Sequence, residues 1–189
     1  MLSMNRRILL KTAAASGILL PSAGKVRAQA PVTDAYTLMA SDPRFTTWTR
    51  LIDIGGLQAS ARSPNAFTVF APTDEAAAKH PQVQQMLLGA QKPNAREMDI
   101  FPDTSRIVGI VRAHVIRGKH TLSEFQGKKE TLNSLAGIPL VIDGTGPQIT
   151  VTRTDPVSAK TVTLVVTDQP MLATNAVIYP VNEAKISSL

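Results

Sequence analysis

The hydrophobic period of the chain switches near Glu130, and no other feature constrains the fold as much. Before it, apolar residues recur three and four apart. After it, short runs rich in β-branched residues alternate with turn residues. Ser41-Asp42-Pro43 opens a helix, with Asp42 as its cap and Pro43 in its first turn. Phe45, Trp48, Leu51, Ile52 and Leu57 follow at helical spacing, and Gly55-Gly56 marks the stop. Val83, Met86, Leu87 and Leu88 predict a short helix. Ile107, Ile110, Val111 and His114 share one face of a helix predicted over 105–116. Thr121-Leu122-Ser123-Glu124 is a capping box before another short one. Strand-like runs then occupy 138–142, 149–152, 161–166 and 176–179, with Leu132 in an earlier one and a turn at Asp143-Gly144-Thr145-Gly146. Helices first and strands second make an α+β fold in one domain.

One stretch breaks that order. Phe67 to Ala71 reads as a buried strand and runs directly into Pro72-Thr73-Asp74-Glu75-Ala76-Ala77. Pro72 ends the strand, Thr73 caps a helix, and Asp74 and Glu75 lie in its first turn, where acids favour the positive helix end. An anion site at this helix start is opposed by its own two acids, so the junction reads as structural.

Residues 1–30 read as a signal peptide. Arg6-Arg7 and Lys11 precede a small apolar run from Thr12 to Leu20, and Ala28-Gln29-Ala30 is an A-x-A cleavage site. The paired arginines with Lys11 resemble a twin-arginine export signal, and a general signal with a basic start is the alternative. The apolar run is too short to span a bilayer. The expectation is therefore one domain over 31–189, periplasmic or extracellular after cleavage near Ala30, with no transmembrane segment. The leader carries Arg6, Arg7, Lys11, Lys25 and Arg27 and no acid, so residues 31–189 hold 15 basic against 14 acidic residues, net +1. A nucleic-acid partner is not expected on so small an excess. The chain has no cysteine, so a domain of this size relies on its core rather than on disulfides.

Reactive chemistry is hard to place. His80, His114 and His120 are the only histidines and lack tight ligand spacing, so neither a metal nor a cofactor is expected. No G-x-S-x-G is present, and Gly144-x-Gly146 precedes Pro147 rather than a phosphate-cradling helix. No catalytic residue is assigned and the chain is not expected to be an enzyme. His114 and Trp48, on apolar faces, read as core; the imidazole is expected to bond backbone and lock its helix to a neighbouring strand. Arg106, Arg112, Arg117 and Lys119 form a basic cluster that is the candidate interaction surface, against the plainer reading of a solvated face with interleaved acids.

Taken in order, these segments resemble a fasciclin (FAS1) domain of the bacterial exported, single-domain kind. Phe67-Thr68-Val69-Phe70-Ala71-Pro72-Thr73-Asp74-Glu75-Ala76 resembles the family's first box, with Ala113-His114-Val115-Ile116-Arg117-Gly118-Lys119 and Thr131-Leu132-Asn133-Ser134-Leu135 following. Asn175-Ala176-Val177-Ile178-Tyr179-Pro180-Val181 resembles the second box. The resemblance implies a β-sandwich or wedge of short strands with a helical layer. It marks Phe70, Ala71, Pro72, Thr73, Asp74, His114 and Asn175 as family-motif positions of structural role. The chain departs from the pattern with Ala113 for a usual Tyr, Pro170-Met171 for Asp-Ile, Ala176 for Gly and Tyr179 for His. Residues 91–104 and 153–160 look longer than typical and are where specific binding is sought. An animal-type receptor site is not carried over.

The function implied is a non-enzymatic interaction module in cell adhesion, surface attachment or envelope–matrix contacts, with a protein or polysaccharide at the cell surface as partner. The alternative is a periplasmic small-molecule or lipid-binding protein, which needs an apolar cavity of ligand size.

Overall fold

The structure, a computed structural model, describes residues 33–88, 103–154 and 159–184. The leader and cleavage site, most of the 91–104 segment and residues 155–158 lie outside the described residues. Helix α1 (Ala35–Ala40) is capped by Asp34, whose carboxylate accepts from Thr37 N at 2.9 Å. The helix predicted from Asp42 is two pieces. Asp42 caps a 3-10 turn, Pro43–Phe45, and α2 spans Thr46–Ile54. Gly55 caps α2 and Gly56, at φ +65, turns the chain in the left-handed region that glycine adopts freely. Helix α3 (Gln58–Arg62) follows, then β1 (Phe67–Pro72), α4 (Asp74–Ala78) and α5 (Pro81–Leu88).

Helix α6 (Thr104–Ala113) stops at His114, short of the predicted end at 116. Val115 and Ile116 belong instead to β2 (Val115–Arg117), which pairs with β1 in the register Val69↔Val115 and Thr68↔Ile116. Both are β-branched, and the ladder hydrogen bonds outweigh one more half-turn of helix. Helix α7 (Leu122–Phe125) leads into β3 (Lys129–Asn133), β4 (Pro139–Asp143), β5 (Thr150–Thr154) and β6 (Thr161–Val165). These four form an antiparallel meander in chain order. The last strands are β7 (Met171–Leu172) and β8 (Ala176–Val181).

The first sheet has the order β2-β1-β8-β7. Strand β1, from the helical half of the sequence, lies parallel to β8, from the far end of the described chain, in the register Phe67↔Ala176 to Pro72↔Val181. β2 and β7 flank the pair antiparallel. Isolated bridges Ile116↔Ser134 and Val166↔Val181 tie this sheet to the meander at two corners.

Both faces of the β1–β8 pair are covered. Val69, Ala71, Ala176 and Ile178 pack into a core with Phe45, Trp48, Leu51, Ile107 and Val111 of the helices. Phe70, Val177, Tyr179 and Val181 pack into a second core with Leu140, Ile142, Val151 and Leu164 of the meander. A strand buried on both faces reads as a continuous apolar run, as Phe67–Ala71 and Ala176–Val181 do. Each fully buried large side chain contributes about 1.5–3 kcal/mol relative to exposure. The result is an α+β fold: two small sheets face to face and a helical layer outside one of them.

Candidate functional site

The strand–helix junction after β1 holds its polar residues by internal bonds. Thr73 Oγ1 accepts from Ala76 N at 3.2 Å and caps α4. Asp74 does more than sit in the first turn of α4. Its carboxylate accepts from Thr47 N at 2.7 Å, at the start of α2, whose own N-cap residue Phe45 supplies no side-chain bond. One acid thus serves two helix starts. Glu75, the next acid, is exposed. Phe70 turns inward to stack on Tyr179 at 5.5 Å, while Ala71 and Pro72 are buried at the end of the strand.

Asn175 is 5% exposed and its amide is fully used. Oδ1 accepts from Ala35 N at 2.9 Å, and Nδ2 donates to Ala61 O at 2.9 Å and Ser63 O at 2.7 Å. It ties the start of α1 and the end of α3 to the entry of β8. Tyr179 donates from its hydroxyl to His120 O at 3.0 Å, and burial pushes its phenol well above the usual range. Thr68, fully buried in β1, accepts from His120 N at 2.8 Å and donates to Gly118 O at 2.8 Å. The turn after β2 is held from both sides.

His114 is 1% exposed. Its Nδ1–H donates to Ile110 O at 2.9 Å, within α6 itself and not to a strand. The link to the sheet runs through its backbone, since Phe70 N donates to His114 O at 2.9 Å. Burial pushes the imidazole down to about 4; the positive charge of Arg153 acts in the same direction and the Ile110 bond opposes it. The ring is neutral at neutral pH. It meets Trp48 edge to face, with centroids 5.3 Å apart. Its Nε2 and the Trp48 Nε1 have no protein partner among the described residues. Both ring nitrogens of His114 lie enclosed in the core. His80 and Glu183 are joined by a hydrogen bond near the end of the described chain. No group of three or more metal-ligating side chains occurs among the described residues.

The structure divides the basic cluster. Lys119 is half-buried and donates from Nζ to Ala173 O at 2.9 Å and Thr174 O at 3.2 Å, so it is held against the backbone. Arg106 is half-buried at the start of α6, with its Nε enclosed. Arg112 and Arg117 are exposed and come together along one groove. That groove, of about 480 Å³, runs between α2–α3 and the β1–β2–α6 face. Trp48, Ile52, Phe67, Val69 and Val115 form its apolar walls, and Leu135 stands at its edge. Ser60, Ser63 and Asn65 add neutral polar groups.

The sequence pattern of the fasciclin domain matches residues 43–184, three quarters of the chain. The chain belongs to the fasciclin family. An uncharacterized protein of Synechocystis sp. is 32% identical to this fasciclin domain over 108 residues, covering 57% of the chain and 71% of that protein. In three dimensions the chain is similar to a FAS1 domain pair from the insect cell adhesion molecule Fasciclin I, with a TM-score of 0.59 at 14% identity. The match covers 81% of the chain and spans half the length of the insect structure. At that identity the likeness concerns the fold alone.

Two features of this fasciclin domain escape a reading of the sequence. Asp74 has the signal of a first-turn acid, and nothing local says that it reaches another helix 27 residues back. The groove is assembled from segments as far apart as Met39 and Leu135, so no run of the chain displays it.

Proposed function

We propose that this fasciclin domain is an exported, non-enzymatic interaction module that works in adhesion, surface attachment or envelope–matrix contacts. The observation that carries it is where the family's recognisable residues go. Thr73, Asp74, His114 and Asn175 all bond to backbone inside the fold, so the boxes build a scaffold and leave its surface for partners. Membership of a family with an adhesion molecule among its folds supports the same reading. The partner is a protein or polysaccharide at the cell surface. No helix of the described residues is long and apolar enough to cross a membrane. Export rests on the leader, with Arg6 and Arg7 directing the twin-arginine route and cleavage falling near Ala30.

The test is deletion of the gene with surface attachment scored under several growth conditions, together with a pull-down from envelope extracts using the full chain. Reduced attachment, restored by the intact gene, supports the reading. Unchanged attachment with no captured envelope component overturns it. Arg6→Lys with Arg7→Lys should stop export; normal export of that variant assigns the general pathway instead.

A further inference from the structure

We infer that the groove between α2–α3 and the β1–β2–α6 face is a binding site for a single-chain anionic amphiphile, a long-chain fatty acid. Its volume of about 480 Å³ lies within the span of small-molecule sites, about 300–1,000 Å³. Leu57, Ala61, Ala66 and Phe67 present the apolar surface that reaches solvent, over a floor of buried Trp48, Ile52, Val69 and Val115. Leu135, at the edge, is one of two large apolar side chains that stand exposed among the described residues. An apolar cleft that keeps an aliphatic side chain in water at its rim gains from covering both with hydrocarbon.

The charge pattern selects the head group. Arg112 and Arg117 line the groove, and among the described residues no Asp or Glu does. Neither arginine takes part in an ion pair among the described residues, whereas Arg44 and Lys129 are each paired to carboxylates. Two guanidiniums without an ion-pair partner among the described residues, beside an apolar slot, match a carboxylate joined to a hydrocarbon chain, since the fork of an arginine donates to both carboxylate oxygens. A neutral hydrocarbon leaves both charges unanswered, and a large polar ligand leaves the walls unused.

Trp48 is the only tryptophan in the chain and forms part of the wall, so the protein carries its own reporter. Dibromostearate is titrated into the full chain below its critical micelle concentration and tryptophan emission is followed. A chain seated in the groove puts bromine against the indole and gives saturable quenching. Stearyl alcohol, used as a competitor, should displace it poorly. Stearate should displace it fully, and a stearoyl lysophosphatidate shows whether a phosphate head serves as well as a carboxylate. Arg112→Gln with Arg117→Gln, both exposed and so compatible with folding, should weaken binding by roughly tenfold or more, the loss of at least one charge-assisted hydrogen bond. Lys128→Gln, an exposed lysine outside the groove, should leave it unchanged. Absence of saturable quenching overturns the site. Binding that the alcohol matches, or that the double variant retains in full, overturns the anionic selectivity. None of these readouts depends on surface attachment, so the site and the adhesion role stand or fall separately.

Discussion

The carboxylate of Asp74 accepts a hydrogen bond from Thr47 N at 2.7 Å, so the acid after β1 closes the start of a helix 27 residues earlier in the chain. Asp74 and Glu75 lie in the same first turn of α4 and have similar helix-dipole interactions there. Asp74 is half-buried and makes this bond; Glu75 is exposed. Asp74→Ala should therefore cost about 1–2 kcal/mol, the range for losing a helix cap, while Glu75→Ala should stay within about 0.5 kcal/mol. Chemical denaturation of the two variants checks this. Equal costs would show that only the dipole interaction matters.

Asn175 makes three backbone bonds that no other side chain of its size reproduces. Asn175→Ala leaves Ala35 N, Ala61 O and Ser63 O without their partner, and a cost of about 2–4 kcal/mol is expected. Asn175→Asp is the sharper test. It keeps the acceptor for Ala35 N but sets a second oxygen against two carbonyls, so at neutral pH it should be at least as damaging as alanine. Thermal unfolding at neutral pH decides; a near-native melting point for the aspartate variant would mean that this amide is not the clamp described.

The turn after β2 hangs from two side chains, Thr68 on His120 N and Gly118 O, and Tyr179 on His120 O. Thr68→Val keeps shape and removes both bonds, at about 1–3 kcal/mol. Tyr179→Phe removes one, at about 1 kcal/mol. Both act on the peptide groups of His120, so the double variant should depart from the sum of the singles by at least about 0.5 kcal/mol. A double-mutant cycle in urea measures the departure, and strict additivity would separate the two tethers.

The sequence displays most of this architecture because the switch of period is a local property. Trp48, Ile107 and Val111 sit on helical stripes, and Val151 and Leu164 alternate along strands; both patterns come directly from which face is buried. Thr73 is legible as a cap for the same reason. What sequence distance hides is the pairing of β1 with β8, which puts a strand from the helical half at the centre of a sheet. The end of α6 is hidden in the sequence because Val115 and Ile116 continue the apolar run, and only the β1 partner makes them a strand. The basic residues divide for a similar reason. Spacing groups Arg106, Arg112, Arg117 and Lys119, but the fold turns Lys119 onto the carbonyls of residues 173 and 174 and leaves Arg112 and Arg117 along the groove.

His114 makes stability depend on acid in a way that one substitution isolates. Its pKa falls from an ordinary 6.5 to about 4 on folding, so the unfolded chain binds this proton first. The contribution is fully present above about pH 6.5 and is lost as pH falls toward 4, because protonating the ring favours the unfolded state. Between pH 7 and pH 4.5 the loss is about 2 kcal/mol, at about 1.4 kcal/mol per pH unit over the window. His114→Asn places an amide N–H where Nδ1–H meets Ile110 O and has no proton to gain. The variant should be less stable than the parent at pH 7, because the smaller side chain leaves a gap beside Trp48, yet its stability should fall less between pH 7 and pH 4.5. Urea unfolding of both proteins at the two pH values measures the difference of slopes. Parallel pH dependence would mean that the imidazole keeps its ordinary affinity for protons in the folded protein.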